Sequence, residues 1–397
     1  MASESLWSSI KEESRQNYIA VFEKEWPGWM AGIFIAILAL LIFLWDSPWG
    51  IAGGYRNWGD WFYYLVGVTD KRPFPPWLTP LSVSNIGLMI GAFASALMGR
   101  QFALRRTTGL EYLKGIIGGI LMGFGAALAK GCNVGGFYSA IGVFSMGGYM
   151  MMLGLGGGAY IGLRILLWEM ENITPKVVVK KPIDPNNKGI DWDKVQPFIG
   201  GGVLISVIII FYIYSMFDLT KIGGLLFFGS LIGLTMHRSR FCFVRAFRCP
   251  FMTGESEMVK VVAMSLMIYG AGSAVIKWNF LQDAAMGVHH PFWFGSLIGG
   301  LIFGIGMLLA GGCASSTLWR IGEGHTKLMV TLVAFALTNP MTFMLLEKFN
   351  LSDKLGSGVL MPDVFTWSLT MPVFLGILLV WAFVAIWNEE VEKFVIF

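Results

Sequence analysis

Gly118-Gly119-Ile-Leu-Met-Gly123-Phe-Gly125-Ala-Ala-Leu-Ala-Lys130-Gly131-Cys132 recurs later in the same chain as Gly299-Gly300-Leu-Ile-Phe-Gly304-Ile-Gly306-Met-Leu-Leu-Ala-Gly311-Gly312-Cys313. Five glycines and the closing cysteine coincide at one constant offset, with Leu128/Leu309 and Ala129/Ala310 between them. Each copy reads as an apolar, glycine-notched helix that stops at a Gly-Cys pair. Gly119/Gly123 and Gly300/Gly304 are GxxxG pairs that permit close backbone approach. A repeated, interrupted hydrophobic segment is the best sequence-level pointer to a binding site in a membrane protein.

Composition places the repeat in a bilayer. The chain of 397 residues is 55% apolar and 14% charged, and its mean hydropathy is +0.64; soluble domains run near 45–50% apolar and about 25% charged. Ten apolar runs approach spanning length: Gly28–Trp45, Leu81–Met98, Leu113–Ala129, Gly147–Trp168, Pro197–Met216, Ile222–Met236, Val259–Ile276, Phe292–Ala310, Leu328–Leu346 and Trp367–Trp387. A spanning helix needs about 20 such residues, so the fold class expected is an all-α polytopic membrane protein with about nine or ten transmembrane helices plus short half-helices. Tryptophans at the run ends, such as Trp45, Trp168, Trp278 and Trp387, form interfacial belts. The aromatic segment Asn57–Val68 is expected on the outer membrane surface and His289-His290 at the interface.

Lys and Arg cluster in alternate connections: Arg100, Arg105, Arg106 and Lys114 in one, Lys176 to Lys194 in the next, then Arg238, Arg240, Arg245 and Arg248. Positive loops stay in the cytoplasm, which predicts a bacterial inner-membrane protein with both termini cytoplasmic. The charged lead before Gly28 lacks a cleavage pattern and reads as attached to a retained first helix. The expected division is an N-terminal part over 1–80, a first repeat half over 81–175, a linker over 176–196, a second half over 197–350 and a final helix over 351–397.

Upstream of each Gly-Cys helix lies a basic cluster, Arg100-Gln-Phe-Ala-Leu-Arg105 in the first half and Arg240-Phe-Cys242-Phe-Val-Arg245 in the second. Between cluster and Gly-Cys the second half is 41 residues longer. That insertion holds one additional run, Val261–Ile276. One extra crossing turns the second Gly-Cys helix upside down, so the two halves are expected to be pseudo-symmetric and inverted.

Four cysteines are present: Cys132, Cys242, Cys249 and Cys313. None has CxxC spacing and the histidines make no ligand pattern with them, so neither a metal nor another cofactor is expected. Cys132 and Cys313 close the repeated motif at a backbone break. Cys242 sits where the first cluster has Phe102, and Cys249 reads as structural. Lys130, Arg240, Arg245 and Arg320 lie near these thiols in sequence. Charges at membrane depth are costly and mark function. A thiol among cations and helix ends suits a small soft anion, one bearing sulfur or selenium. Gly131 and Gly312 hold the cysteines at the break.

These phrases, together with His237-Arg-Ser-Arg-Phe-Cys242-Phe-Val-Arg-Ala-Phe-Arg248, resemble the YeeE/YedE family of inner-membrane proteins from about Ser82 to Leu346. The resemblance implies uptake of thiosulfate or a related sulfur compound, with selenium metabolism for some members. It also implies that Cys132, Cys242 and Cys313 line the path; the residues around them add Lys130, Gly131, Gly312, Arg240 and Arg245 as expected supports. The expected partners are a small sulfur- or selenium-containing anion, the lipid bilayer and a soluble sulfurtransferase-like protein, with no nucleic acid. A membrane thiol–disulfide electron carrier is the alternative from another class, and a cycling Cys–Cys linkage would reveal it. No P-loop sequence is present, and a non-enzymatic transporter is the expectation.

Overall fold

The computed structural model describes residues 2–173 and 192–396. Most of the expected linker over 176–196 therefore lies outside the described residues. The described chain is almost wholly helical, and no strand forms among its residues. With no water in the bilayer to satisfy backbone groups, the helix is how an apolar chain pairs its own N–H and C=O groups.

A first helix α1 (Ala2–Tyr18) precedes α2 (Gly28–Trp45), the short α3 (Ala52–Leu65), α4 (Pro80–Met98) and α5 (Gly109–Leu128). A π-helical turn, Asn133–Ser139, then runs into the single turn α6 (Ala140–Gly142), followed by α7 (Met146–Asn172) and α8 (Trp192–Met216). The second half contains α9 (Thr220–Ser239), the short α10 (Phe243–Met252), α11 (Glu257–Trp278), α12 (Phe294–Ala310), the short α13 (Ala314–Gly322) and α14 (Thr326–Lys348). A kinked α15 (Met361–Val391) closes the chain.

Among the described residues nine helices are long and apolar enough to cross a membrane, counting α12 and α13 as one. They match nine of the ten runs read from sequence. The tenth lies in α9, whose last turn carries His237 and Arg238 and is correspondingly more polar. Even so, α9 reaches the same two faces as α2. The Trp45 indole donates to the Lys221 carbonyl at one end (3.0 Å), and the Trp26 N–H donates to the Arg238 carbonyl at the other (3.0 Å).

The direction of each helix follows from its glycines. A Cβ on Gly118 would lie 2.6 Å from the Gly306 carbonyl oxygen, and one on Gly125 would lie 2.5 Å from that of Gly299. Rising numbers on α5 meet falling numbers on α12, so the two Gly-Cys helices run antiparallel. In contrast, Gly87 and Gly91 of α4 meet Leu226 and Ser230 of α9 in rising order, so that pair is parallel. The basic clusters after α4 and α9 share a face because their helices run the same way. They are not counterparts under the inversion, and the sequence match of Phe102 with Cys242 is corrected accordingly.

Element contacts reveal the actual correspondence. Helix α4 packs on α9 as α11 packs on α2; α14 packs on α3 as α7 packs on α10; α13 touches α4 as α6 touches α11. The repeating unit is thus α2–α7 against α9–α14, wider at its start than a half beginning at residue 81, with α8 and α15 outside both. Each unit holds two short helices, α3 and the turn after Cys132 in one, α10 and α13 in the other. Their first turns enter a single apolar core that includes Cys132, Cys242, Cys313 and Tyr55.

Helix α3 is inserted at its start and exposed at its end. Gly59 abuts Ala336 of α14 and Tyr55 is 1% exposed, whereas Phe62, Leu65, Val66 and Val68 are exposed. The segment Asn57–Val68 thus packs on the bundle through Asn57 and Gly59 and leaves its second half on the protein surface.

Candidate functional site

Each of the three cysteines singled out above stands immediately before a short helix. Cys132 precedes the π turn, Cys242 is the N-cap of α10 and Cys313 the N-cap of α13. All three are extended in backbone and buried. The equivalent residue before α3 is Ile51. Ile51 is therefore the inversion counterpart of Cys242, just as Cys132 is that of Cys313.

Around Cys132 the nearby elements are the start of α3 and the turn that the cysteine precedes. Cys132 forms the floor of a cavity of about 440 Å³ whose walls include Trp49, Arg56, Lys130, His289, His290 and Asn339. Ile51, Ala52 and Gly135 line the same cavity. Among the described residues, no Asp or Glu lines this cavity. Arg56 pairs loosely with Asp60 (3.8 Å) and lies over the Phe343 ring (4.0 Å). His290 is 2% exposed and its Nδ1 has no partner. Burial, and after it the adjacent His289, holds the His290 imidazole well below its ordinary pKa. Both histidines are expected to be neutral near pH 7, leaving Lys130 and Arg56 as the cations of the cavity. The expectation of a merely interfacial His289-His290 pair is replaced by a place in this wall.

Lys130 adopts a left-handed φ of 51°, at the position where the second copy has Gly311 with φ 75°. Glycine is the natural residue there, and a lysine is strained by the contact of its Cβ with the backbone. Gly131 follows, with the His290 ring against it: a Cβ on Gly131 would lie 2.8 Å from Nε2.

The Cys313 end is built from side chains. Its thiol lies 3.3 Å from Ser315 Oγ, and Ser316 Oγ donates to it at 3.2 Å. The Cys313 N–H donates to Ser316 Oγ (2.7 Å), closing a capping box. Cys242 and Cys313 lie in the same buried core, 2% and 0% exposed. Gly312 leaves room for Leu328 and Ser316 beside the break. Arg320 donates to the Gly311 carbonyl (3.0 Å) and lies over the Trp319 ring (5.2 Å).

Beyond α13 lies an ionic cluster centred on Glu323, whose side chain is 3% exposed. Arg105 and Arg240 each reach it at 2.8 Å, and His325 at 3.3 Å. Arg240 also donates to Gln101 (3.2 Å). Its role in this structure is to tie α9, the 100–106 connection and the end of α13 together. Arg245 pairs with Glu255 at 4.0 Å on the surface. Of the cations expected in support, Lys130 lines a thiol-floored cavity, whereas Arg240 and Arg245 are engaged elsewhere. Sequence reading missed Tyr55, Arg56, Ser315, Ser316 and Glu323. The Gly53-Gly54-Tyr55-Arg56 phrase was the available signal for the first two.

The sulphur-transport family model (Sulf_transp) matches residues 2–161 and 238–395. The chain belongs to this family. The match takes in most of both repeating units and leaves out 162–237, which holds the end of α7, all of α8 and all but the last two residues of α9. Two relatives span most of the chain. A "probable transporter YedE" of Escherichia coli (strain K12) is 28% identical over 320 residues, 76% of this chain and 77% of that protein. Its namesake from Salmonella typhimurium is 29% identical over 316 residues, with the same coverage. A "thiosulfate transporter TsuA" of Escherichia coli (strain K12) is 36% identical over 108 residues, 27% of this chain and 30% of that protein. The likeness to YeeE/YedE proteins read from the motifs holds, and the protein is a multi-pass member of a family of sulphur transporters.

Proposed function

We propose that the protein imports a small sulfur-containing anion across the bacterial inner membrane, past Cys132, then Cys313, then Cys242. The observation that carries this reading is the thiol-floored cavity, cationic at Lys130 and Arg56 and free of acids, in a chain of the sulphur-transport family. A fixed cation at the narrowest point would trap an anion, whereas conduction requires sites that also release it. Neutral thiols and backbone N–H groups are weaker, exchangeable donors. The cations sit where the anion is gathered, and the thiols sit where it passes. Short helices α10 and α13 add their positive ends at Cys242 and Cys313.

Direction follows from charge. Arg100, Arg105, Arg106, Arg238, Arg240, Arg245 and Arg248 gather at the ends of α4 and α9 and beside α10, which supports reading that face as the cytoplasmic one. The cavity above Cys132 then opens to the outside, and both termini are cytoplasmic. Uptake of ³⁵S-thiosulfate into proteoliposomes tests the reading. Cys132→Ala, Cys242→Ala and Cys313→Ala should each lower uptake about tenfold or more, while Cys249→Ala stays within about twofold of wild type. Undiminished uptake by the first three variants would overturn the thiol path.

A further inference from the structure

One side chain ties the helix beside the Cys132 cavity to the helix that Cys313 caps. Tyr55 belongs to α3, four residues beyond the Ile51 cap, and is 1% exposed. Tyr55 shares one buried core with Cys132 and Cys313. Its hydroxyl donates to the carbonyl of Ala314, the residue directly after Cys313, at 2.9 Å. Thus the helix whose first residues, Ile51 and Ala52, line the cavity with Cys132 also bonds, through Tyr55, to the first turn of the helix that Cys313 caps. Phe335 and Trp58 hold the ring from two sides, with centroids at 4.7 and 5.4 Å.

The inversion sharpens the point. Four residues beyond the corresponding cap, Cys242, helix α10 has Ala246. The unit that supplies the extra thiol has a methyl where the other has a phenol. A phenol at this place is therefore supplied by one unit alone. The Ala314 carbonyl is already bonded within α13, so releasing Tyr55 from it costs one neutral hydrogen bond and orphans no acceptor. An anion moving from one thiol to the next needs a donor at that point, because bare passage through an apolar core is prohibitive.

We propose that Tyr55 is both the barrier and the relay donor between the two thiol stations, exchanging its bond to Ala314 for one to the passing anion. This rests on the transport reading above. Two measurements on the purified full-length protein test it. In proteoliposomes, Y55F should lower the turnover of ³⁵S-thiosulfate by about tenfold with KM unchanged, since it deletes a donor used only in passage. A small anionic methanethiosulfonate reagent, added from the cavity face, should modify Cys132 but not Cys313 in the wild type, and both in Y55A, as read by peptide mass spectrometry. A wild-type rate in Y55F, or equal modification of Cys313 with and without the ring, overturns the proposal while leaving the transport reading intact. Absence of flux in the wild type overturns both. A variant that merely misfolds shows fewer active carriers and a lowered melting temperature, so Y55F melting with the wild type excludes that cause of a slow rate.

Discussion

Gly118 and Gly306 meet backbone to backbone. A Cβ on the first would lie 2.6 Å from the carbonyl oxygen of the second, and the reverse substitution would leave 2.7 Å. The repeated sequence is in part its own binding partner: Gly118 and Gly125 of one copy meet Gly306 and Gly299 of the other, while Gly119 and Gly123 face α14 and Gly300 and Gly304 face α7. Since the copies run antiparallel, the same stretch delivers one cysteine toward each side of the membrane. The inversion is what turns a duplicated helix into a path with two ends.

Gly118→Leu or Gly306→Val should therefore be severely destabilising. The atoms in the way are backbone, so neither rotamer change nor a flexible tip relieves the clash, and overpacking costs of about 1–3 kcal/mol are a lower expectation. Gly202→Ala is the contrast. No atom lies within 4 Å of a Cβ at Gly202, and alanine is favoured in a helix interior by roughly 0.5–1 kcal/mol. Melting of the purified proteins in detergent should show a large fall for the first two and no fall for the third.

Glu323 supplies a pH signature at the arginine-rich face. Burial opposes its charge, but hydrogen bonds from His325, Arg105 and Arg240 win and hold the carboxyl well below its ordinary value of 4.5. A carboxylate depressed in the folded state stabilises above its unfolded pKa, and that contribution is lost as pH falls toward the folded one. Wild-type stability from this group should be flat above about pH 5 and fall progressively in more acid solution. Glu323→Gln should remove that part of the acid dependence. It should also lower the melting temperature at pH 7, because Arg105 and Arg240 lose a charged partner, each such hydrogen bond contributing about 1.5–3 kcal/mol before the exposure of the arginines is discounted.

The membrane helices and the duplicated Gly-Cys break were legible because each is local: a run of apolar residues, or five glycines at fixed spacing. The inversion was legible from one additional run. What misled was the basic cluster after α4 and after α9. Membrane topology alone puts arginines at any helix end on that face, so equal spacing of Arg100/Arg105 and Arg240/Arg245 signals shared orientation, not shared ancestry within the repeat. The true counterpart of Cys242 is Ile51, and no residue identity advertises it. Glu323 escaped notice for a related reason. Its partners come from the 100–106 connection, the end of α9 and the turn after α13, which only the folded chain brings together.

Lys130 offers a separation of stability from function. It occupies a left-handed position, φ 51°, that the second copy assigns to Gly311. For a residue with a Cβ this conformation costs about 1–2 kcal/mol, and such strain at a cavity wall motivates a functional role for the side chain. Lys130→Gly should relieve it and raise the melting temperature. The same change removes a cation from an acid-free cavity, so kcat/KM for thiosulfate should fall by about two- to tenfold at low ionic strength and approach wild type as salt screens the attraction. Lys130→Arg keeps both charge and strain and should keep both phenotypes of the wild type. Uptake that is unchanged in Lys130→Gly at every salt concentration would assign the strain to folding alone and remove the lysine from the path.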